Sequence, residues 1–198
     1  MAAYFAELPR TITVEGTEIP INTDFRASIA FEELMQNPQL TDEALVSGVL
    51  DAYFDELTAP VISQICAAGK SVALFRAIMD FYRCGDPARP AGEKTEKRAY
   101  SFSVDEKRIY AAFSEQYGID LYSIDYLHWW KFSSMFSSLS DTTEIAKIMH
   151  IRTAEFEKGM TAKERAVLRR AKRIYALPDL RTEEQREDDF AAAFAPAF

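Results

Sequence analysis

The feature that most constrains this chain is an aromatic stretch over 124–139, IDYLHWWKFSSMFSSL, which contains both tryptophans of the sequence. At 100° per residue, its apolar side chains fall on one broad arc, which is the pattern of a helix that faces a core. The arc comprises Ile124, His128, Trp129, Phe132, Met135, Phe136 and Leu139. We therefore predict a single helix over 124–139, around which the rest of the chain packs.

The other face of this predicted helix combines a large aromatic side chain with small ones. Trp130 lies there with Tyr126, Leu127 and a group of serines: Ser133, Ser134, Ser137 and Ser138. Small residues allow a second element to approach closely, and tryptophan is enriched among residues that dominate interfaces. Either another helix of the same chain or a partner protein is expected to cover this face. The candidate partner-binding residues here are Leu127, Trp130, Ser133, Ser134 and Ser137.

The N-terminal region has the pattern of a β-hairpin. Apolar and polar residues alternate on both sides of Glu15 and Gly16, a pair typical of a two-residue turn. Pro20 cannot donate a backbone hydrogen bond, so its strand is expected at an edge. A second alternation over 100–104 predicts a short strand that would extend this hairpin.

The remaining sequence predicts helices, several with recognisable ends. Thr41 is an expected N-cap, and the segments 141–144 and 161–164 both fit a capping box. Gly118 is expected to end a helix in the left-handed conformation. We predict a mainly α (α+β) fold, in which 1–178 form a single multi-helix domain with a small N-terminal β-hairpin.

Two segments lack apolar periodicity. The segment 85–98 is rich in proline, glycine and charge, and is predicted to be a mobile loop. The C-terminal segment 179–198 carries six acidic against two basic residues up to position 189, a net charge of −4, and is predicted to be disordered. Its phenylalanines at 190, 194 and 198 have the spacing of a short binding helix.

Charge and hydropathy exclude several classes of protein. The net charge of −8 argues against a general nucleic-acid binder, because the phosphate backbone would be repelled. No apolar run approaches the roughly 20 residues that span a bilayer, and the first residues lack the pattern of a signal peptide. We expect a cytosolic protein with no membrane partner. Cys66 and Cys84 form no CxxC pair and are interpreted as reduced thiols.

No motif in the sequence points to catalysis. Gly69-Lys70-Ser71 resembles the end of a phosphate-binding loop, but Gln64 stands where that loop requires glycine. His128 and His150 have no metal-ligand spacing with each other or with the cysteines, and His128 is interpreted as a core histidine with one satisfied ring nitrogen. We expect no enzymatic activity, no cofactor and no metal.

The last predicted helix is strongly basic. Its charged residues are Lys163, Arg165, Arg169, Arg170, Lys172 and Arg173. Such a face is typical of a solvated amphipathic helix, and it could equally dock an acidic partner or the chain's own acidic segment. Contact with DNA is disfavoured by the net charge. Arg169, Arg170 and Arg173 complete the candidate partner-binding residues.

The sequence resembles a family of tailed-bacteriophage and prophage proteins that are encoded just before the tape measure gene and regarded as tail assembly chaperones. The resemblance covers roughly 9–178 and is strongest over 126–132, where HWWKF is uncommon. Further matching segments are 19–26, 31–34, 81–85, 109–113, 117–121, 148–149, 151–152 and 173–177. The region 40–70 and the segment after Pro178 depart from the family pattern.

This resemblance implies a non-catalytic role. Such a protein would bind the tape measure protein and other phage tail proteins in the bacterial host cytoplasm, and would assist assembly of the tail tube. The alternatives are a structural component of the phage tail and, second, a nucleic-acid-binding phage regulator that relies on the basic helix. Self-association into a homo-oligomer is left open.

Overall fold

The computed structural model describes residues 7–87 and 98–180. Within these ranges the chain forms one β-hairpin and eight helices, which confirms the mainly α fold. The elements are β1 (Thr11–Val14), β2 (Thr17–Pro20), α1 (Phe25–Gln36), α2 (Asp42–Tyr53), α3 (Ala59–Ala67), α4 (Ser71–Tyr82), α5 (Phe102–Tyr117), α6 (Trp129–Ser137), α7 (Glu144–Thr153) and α8 (Ala162–Ile174). The predicted loop at 85–98 and the predicted disordered segment at 179–198 lie mostly outside the described residues.

The hairpin forms as predicted and packs on α4. Glu15 and Gly16 have φ values of 47° and 87°, as a tight turn between twisted strands requires. Ile12 pairs with Ile19, and both side chains are buried. Pro20 ends the antiparallel ladder opposite Thr11. The hairpin thus covers one side of the helical core, and it owes its order to that packing because a lone hairpin is marginal in water.

The centre of the core is a stack of aromatic rings between α1, α5 and α6. Phe132 of α6 has no exposed surface. Its ring lies 4.8 Å from that of Phe25 and 4.9 Å from that of Phe113, both nearly parallel to it. Trp129 stacks on the same ring at 5.8 Å. The aromatic stretch therefore organises the fold as expected, with α1 as its main packing partner.

The predicted helix over 124–139 is wrong for its first five residues, because α6 begins only at Trp129. The backbone of this part bonds to residues distant in sequence instead. The amide of Phe25 donates to the carbonyl of Leu127 at 2.9 Å, and the amide of Trp129 donates to that of Thr23 at 2.8 Å. His128 forms an isolated antiparallel bridge with Asp24. The extended connection at 124–128 is thereby fastened to the N-terminal end of α1.

The predicted strand near 100–104 is also wrong, because α5 begins at Phe102. Ser101 caps the helix by accepting the amide of Val104 at 3.4 Å, while Asp105 accepts the amide of Ser101 at 3.1 Å. These reciprocal bonds satisfy helix donors that a strand would leave unpaired. The hairpin therefore remains two-stranded in the part of the chain that the structure describes.

Most of the predicted helix ends are confirmed. Thr41 caps α2, Gly118 ends α5 with φ of 64°, and Thr161 with Glu164 forms a complete capping box. The box predicted for 141–144 is wrong, since the N-cap of α7 is Thr143, which accepts the amide of Ala146. That helix therefore begins at Glu144, and the box lacks the glutamate that it needs at the third position.

A buried ion pair fastens the C-terminal helices to the core. Asp105 of α5 has no exposed surface, and Arg152 of α7 binds both of its carboxylate oxygens, at 2.5 Å and 3.0 Å. The same guanidinium donates to the carbonyl of Ala99 at 3.0 Å and to that of Tyr175 at 2.7 Å. One side chain thus joins α5, α7, the residue that follows α8 and the segment that precedes α5.

Candidate functional site

The chain itself covers part of the serine face of α6. The indole nitrogen of Trp130 donates to the carbonyl of Phe81 at 2.9 Å, and that of Trp129 donates to the carbonyl of Tyr82 at 2.7 Å. Both acceptors lie at the C-terminal end of α4, where helix carbonyls lack intrahelical partners. Gly85 follows, and a Cβ built there would lie 3.4 Å from the Trp130 ring. Trp130 is thus half-buried against its own chain.

Leu127 is buried as well, with 8% of its surface exposed. It precedes α6 in the extended connection, and its side chain belongs to the main hydrophobic core. The structure therefore places Leu127 inside the molecule, away from any surface that a partner could reach. Of the five candidate residues around α6, Ser134 and Ser137 are exposed, Trp130 and Ser133 are half-buried, and Leu127 alone is buried.

Ser133 and Ser137 line a groove with a volume of about 440 Å³, which we call the α6 groove. Its apolar and aromatic wall includes Tyr82, Tyr100, Phe102, Phe136, Leu139 and Met149. Charged side chains, Arg83, Asp86 and Asp141, also line it. Ser134 does not line the groove, and its hydroxyl donates to the carbonyl of Trp130 at 2.8 Å. The small side chains thus leave space beside aromatic walls.

A buried carboxylate behind the groove holds two of its aromatic side chains. Glu32 of α1 accepts the hydroxyl of Tyr82 at 2.5 Å and that of Tyr100 at 3.4 Å, and Gln36 donates to it at 2.9 Å. Burial raises the pKa of Glu32 more than these hydrogen bonds lower it. Burial, with the nearby carboxylate, also raises the pKa values of both tyrosines. The tyrosine rings are therefore fixed, neutral walls of the groove.

Replacing Glu32 by glutamine should change how stability depends on pH. Because the raised pKa of native Glu32 lies above its value in the unfolded chain, the native state holds this proton more firmly. Wild-type stability should therefore fall as pH rises from about 4.5 through the native pKa, whereas glutamine has no proton to lose. Urea unfolding at several pH values measures the difference. The free energy of unfolding of the variant should rise relative to that of the wild type as the pH increases up to that pKa. Glu33→Gln, at an exposed site on the same helix, is the control; a gain independent of pH would contradict the assignment.

His128 is confirmed as a buried histidine, but both of its ring nitrogens are bonded rather than one. Nδ1 accepts the amide of Trp130 at 3.0 Å, and Nε2 lies 2.9 Å from the carbonyl oxygen of Pro9. A carbonyl oxygen can only accept, so Nε2 carries the proton and the ring is neutral. Burial accordingly lowers the pKa of His128. The residue caps α6 and anchors the N-terminal segment, which leaves no lone pair for a ligand.

The candidate arginines lie apart from the groove. Arg169, Arg170 and Arg173 are exposed on α8, which packs on α7, whereas α6 packs on α1. Arg169 lies over the ring of Phe156, with 5.8 Å from its guanidinium carbon to the ring centre. The structure thus separates the predicted partner-binding residues into two surfaces.

Sequence reasoning missed the far walls of the groove. Tyr82, Tyr100 and Met149 come from three separate parts of the chain, and no local pattern relates them to Ser133. The one available signal was the pair Tyr100 and Phe102, which the alternation over 100–104 assigned to a strand. Their rings instead contact each other at 5.0 Å and flank Phe136.

Within 7–87 and 98–180, no group of three or more His, Cys, Asp or Glu side chains is arranged to hold a metal ion. In the same residues, no helix combines the length and apolar character needed to cross a membrane.

Comparison with known proteins gives one match. A family model described as Bacteriophage Gp15 protein matches residues 5–177, which confirms the resemblance to a bacteriophage protein family. Neither the curated proteins nor the solved structures contain a significant match. Because the matched range covers most of the sequence, including every helix and strand described above, the chain belongs to the bacteriophage Gp15 protein family.

Proposed function

We propose that this protein is a non-catalytic phage tail assembly chaperone that binds the tape measure protein in the host cytoplasm and assists assembly of the tail tube. Membership of a bacteriophage family supports a phage-related role. The resemblance to tail assembly chaperones suggests the client. The observation that carries the proposal is the α6 groove, in which a small-residue helix face meets aromatic walls.

The groove suits the apolar side chains of a helical client. Recognition of an amphipathic helix usually places apolar anchors, spaced three or four residues apart, in a hydrophobic groove. About 440 Å³ is enough for a few such anchors, since ligand pockets start at about 300 Å³. Ser133 and Ser137 provide the depth, and Glu32 fixes two of the opposing rings. A groove prepared in this way loses little side-chain entropy on binding.

The test is co-expression with the tape measure protein of the same phage, followed by pull-down of wild type, Ser137→Trp and Ser134→Trp. Both serines are exposed positions on one helix, but only Ser137 lines the groove. A tryptophan at 137 should fill the groove and reduce recovery of the client by about tenfold or more, equivalent to about 1.4 kcal/mol. Ser134→Trp should bind as wild type does.

Equal recovery with both variants would place the client elsewhere on the protein. If the wild type recovers no tape measure protein and the chain is present in purified particles, a structural role in the phage tail replaces the chaperone. Salt-sensitive binding to nucleic acid, lost when Arg169, Arg170 and Arg173 are replaced, would instead favour the regulator.

A further inference from the structure

Helix α8 leaves an apolar strip uncovered by the described residues. Val167 is 62% exposed and Ile174 is 63% exposed, and a spacing of seven places them on the same side of the helix. Leu168 and Ala171 are half-buried on the side that meets α7. The apolar arc of α8 is thus wider than the contact with α7, and its outer edge faces away from the core.

The strip is bordered by basic side chains that form no ion pair within 7–87 and 98–180. On a helical projection Lys163 and Arg170 lie beside Val167 and Ile174, and Arg173 lies at the edge of this group. Within the described residues, none of the three arginines at 169, 170 and 173 forms an ion pair. An occupant of this surface should therefore combine apolar side chains with negative charge.

We propose that the occupant is the acidic segment 183–194 of the same chain. It carries five acidic residues over 183–189, followed by Phe190 and Phe194. Its charge is thus opposite to that of α8, and the two phenylalanines could cover Val167 and Ile174.

The geometry allows the segment to reach the strip. Residue 180 follows the last residue of α8 by six positions, and Val167 lies only about 10 Å back along the helix axis. The eighteen residues after 180 span up to about 60 Å when extended. A short tether also gives an effective concentration in the millimolar range, so even a weak contact is populated.

Hydrogen exchange of the full-length protein tests the contact without any client, so the result is independent of the proposed function. The test variant neutralises the five acidic residues of the segment and keeps the amino-acid sequence of α8. Its substitutions are Glu183→Gln, Glu184→Gln, Glu187→Gln, Asp188→Asn and Asp189→Asn. In this variant we expect the backbone amides of 166–174 in α8 to exchange about tenfold faster than in the wild type. The exchange rates of amides in α1 and α6 should not change. About 0.5 M salt should speed exchange in the wild type in the same way, because it screens exposed charges.

A control variant, Asp51→Asn with Glu56→Gln, neutralises exposed acids on a different part of the surface and should leave α8 unchanged. Equal exchange of α8 in wild type and neutralised variant would overturn the proposal. Protection that rises with protein concentration would also overturn it, since the occupant would then be the segment of a second copy. Loss of protection in Phe190→Ser alone would support the assigned apolar contact.

Discussion

Arg152→Ala should lower the free energy of unfolding by about 3 kcal/mol or more, because removal of one partner leaves a buried charge uncompensated. Asp105 would keep the amide of Ser101 and one weaker cationic partner, Arg108, which approaches it at 3.4 Å and is 34% exposed. The carbonyls of Ala99 and Tyr175 would lose their donor as well. Urea unfolding followed by circular dichroism measures the loss.

Arg108→Ala is the matched control for this prediction. Arg108 also contacts Asp105, but its second partner, Glu144, is 67% exposed, so water screens the interaction. Its replacement should cost less than about 1 kcal/mol. A double variant, Arg152→Met with Asp105→Leu, should recover much of the lost stability, because apolar replacements of a buried pair are often well tolerated. A cost below 1 kcal/mol for Arg152→Ala would show that the pair is solvated.

Phe132→Ala should lower the free energy of unfolding by about 3–5 kcal/mol, the usual cost of removing a fully buried aromatic ring. Phe132 contacts the rings of Phe25, Phe113 and Trp129, all within 6 Å between ring centres. The cavity would open where α1, α5 and α6 meet, so collapse around it would need all three helices to move. Chemical denaturation at constant pH measures the change.

Phe156→Ala provides the comparison, because it removes the same ring from a site that is 44% exposed. Its expected cost is about 1 kcal/mol, mostly from the lost contact with Arg169. The loss of free energy of unfolding in Phe132→Leu should lie between those of Phe132→Ala and Phe156→Ala, because leucine fills part of the space left by the phenylalanine ring. If Phe132→Ala and Phe156→Ala lowered the free energy of unfolding equally, the aromatic stack would not be the main source of core stability.

Sequence reasoning succeeded where the decisive interaction is local. Caps at Thr41 and Thr161 act on amides three residues away, so their patterns are visible in a short window. The turn at Glu15 and Gly16 is equally local. These signals, with apolar periodicity, are enough to place most helices and the hairpin.

It failed where partners are distant in sequence. The stretch 124–128 has helical periodicity, but its backbone pairs with residues about 100 positions earlier, which no local pattern reveals. The start of α5 depends on Asp105, whose burial makes sense only with Arg152 opposite. The serine face of α6 is a local pattern, so the sequence could predict that a second element lies against it. The residues that form the opposite wall of the groove come from distant parts of the chain, so the sequence could not identify them.

The link between His128 and Pro9 has a consequence for synthesis of the protein. The two residues are 119 positions apart, and α6, which carries Phe132 at the centre of the core, follows His128 immediately. At about 5–20 residues per second, the N-terminal hairpin waits roughly 6–24 s on the ribosome before its anchor is made. During that interval the hairpin can pack on α4, which is made earlier, but the bond to His128 and the ring of Phe132 at the centre of the core are still missing. Nascent chains should therefore be more prone to aggregation until α6 has emerged.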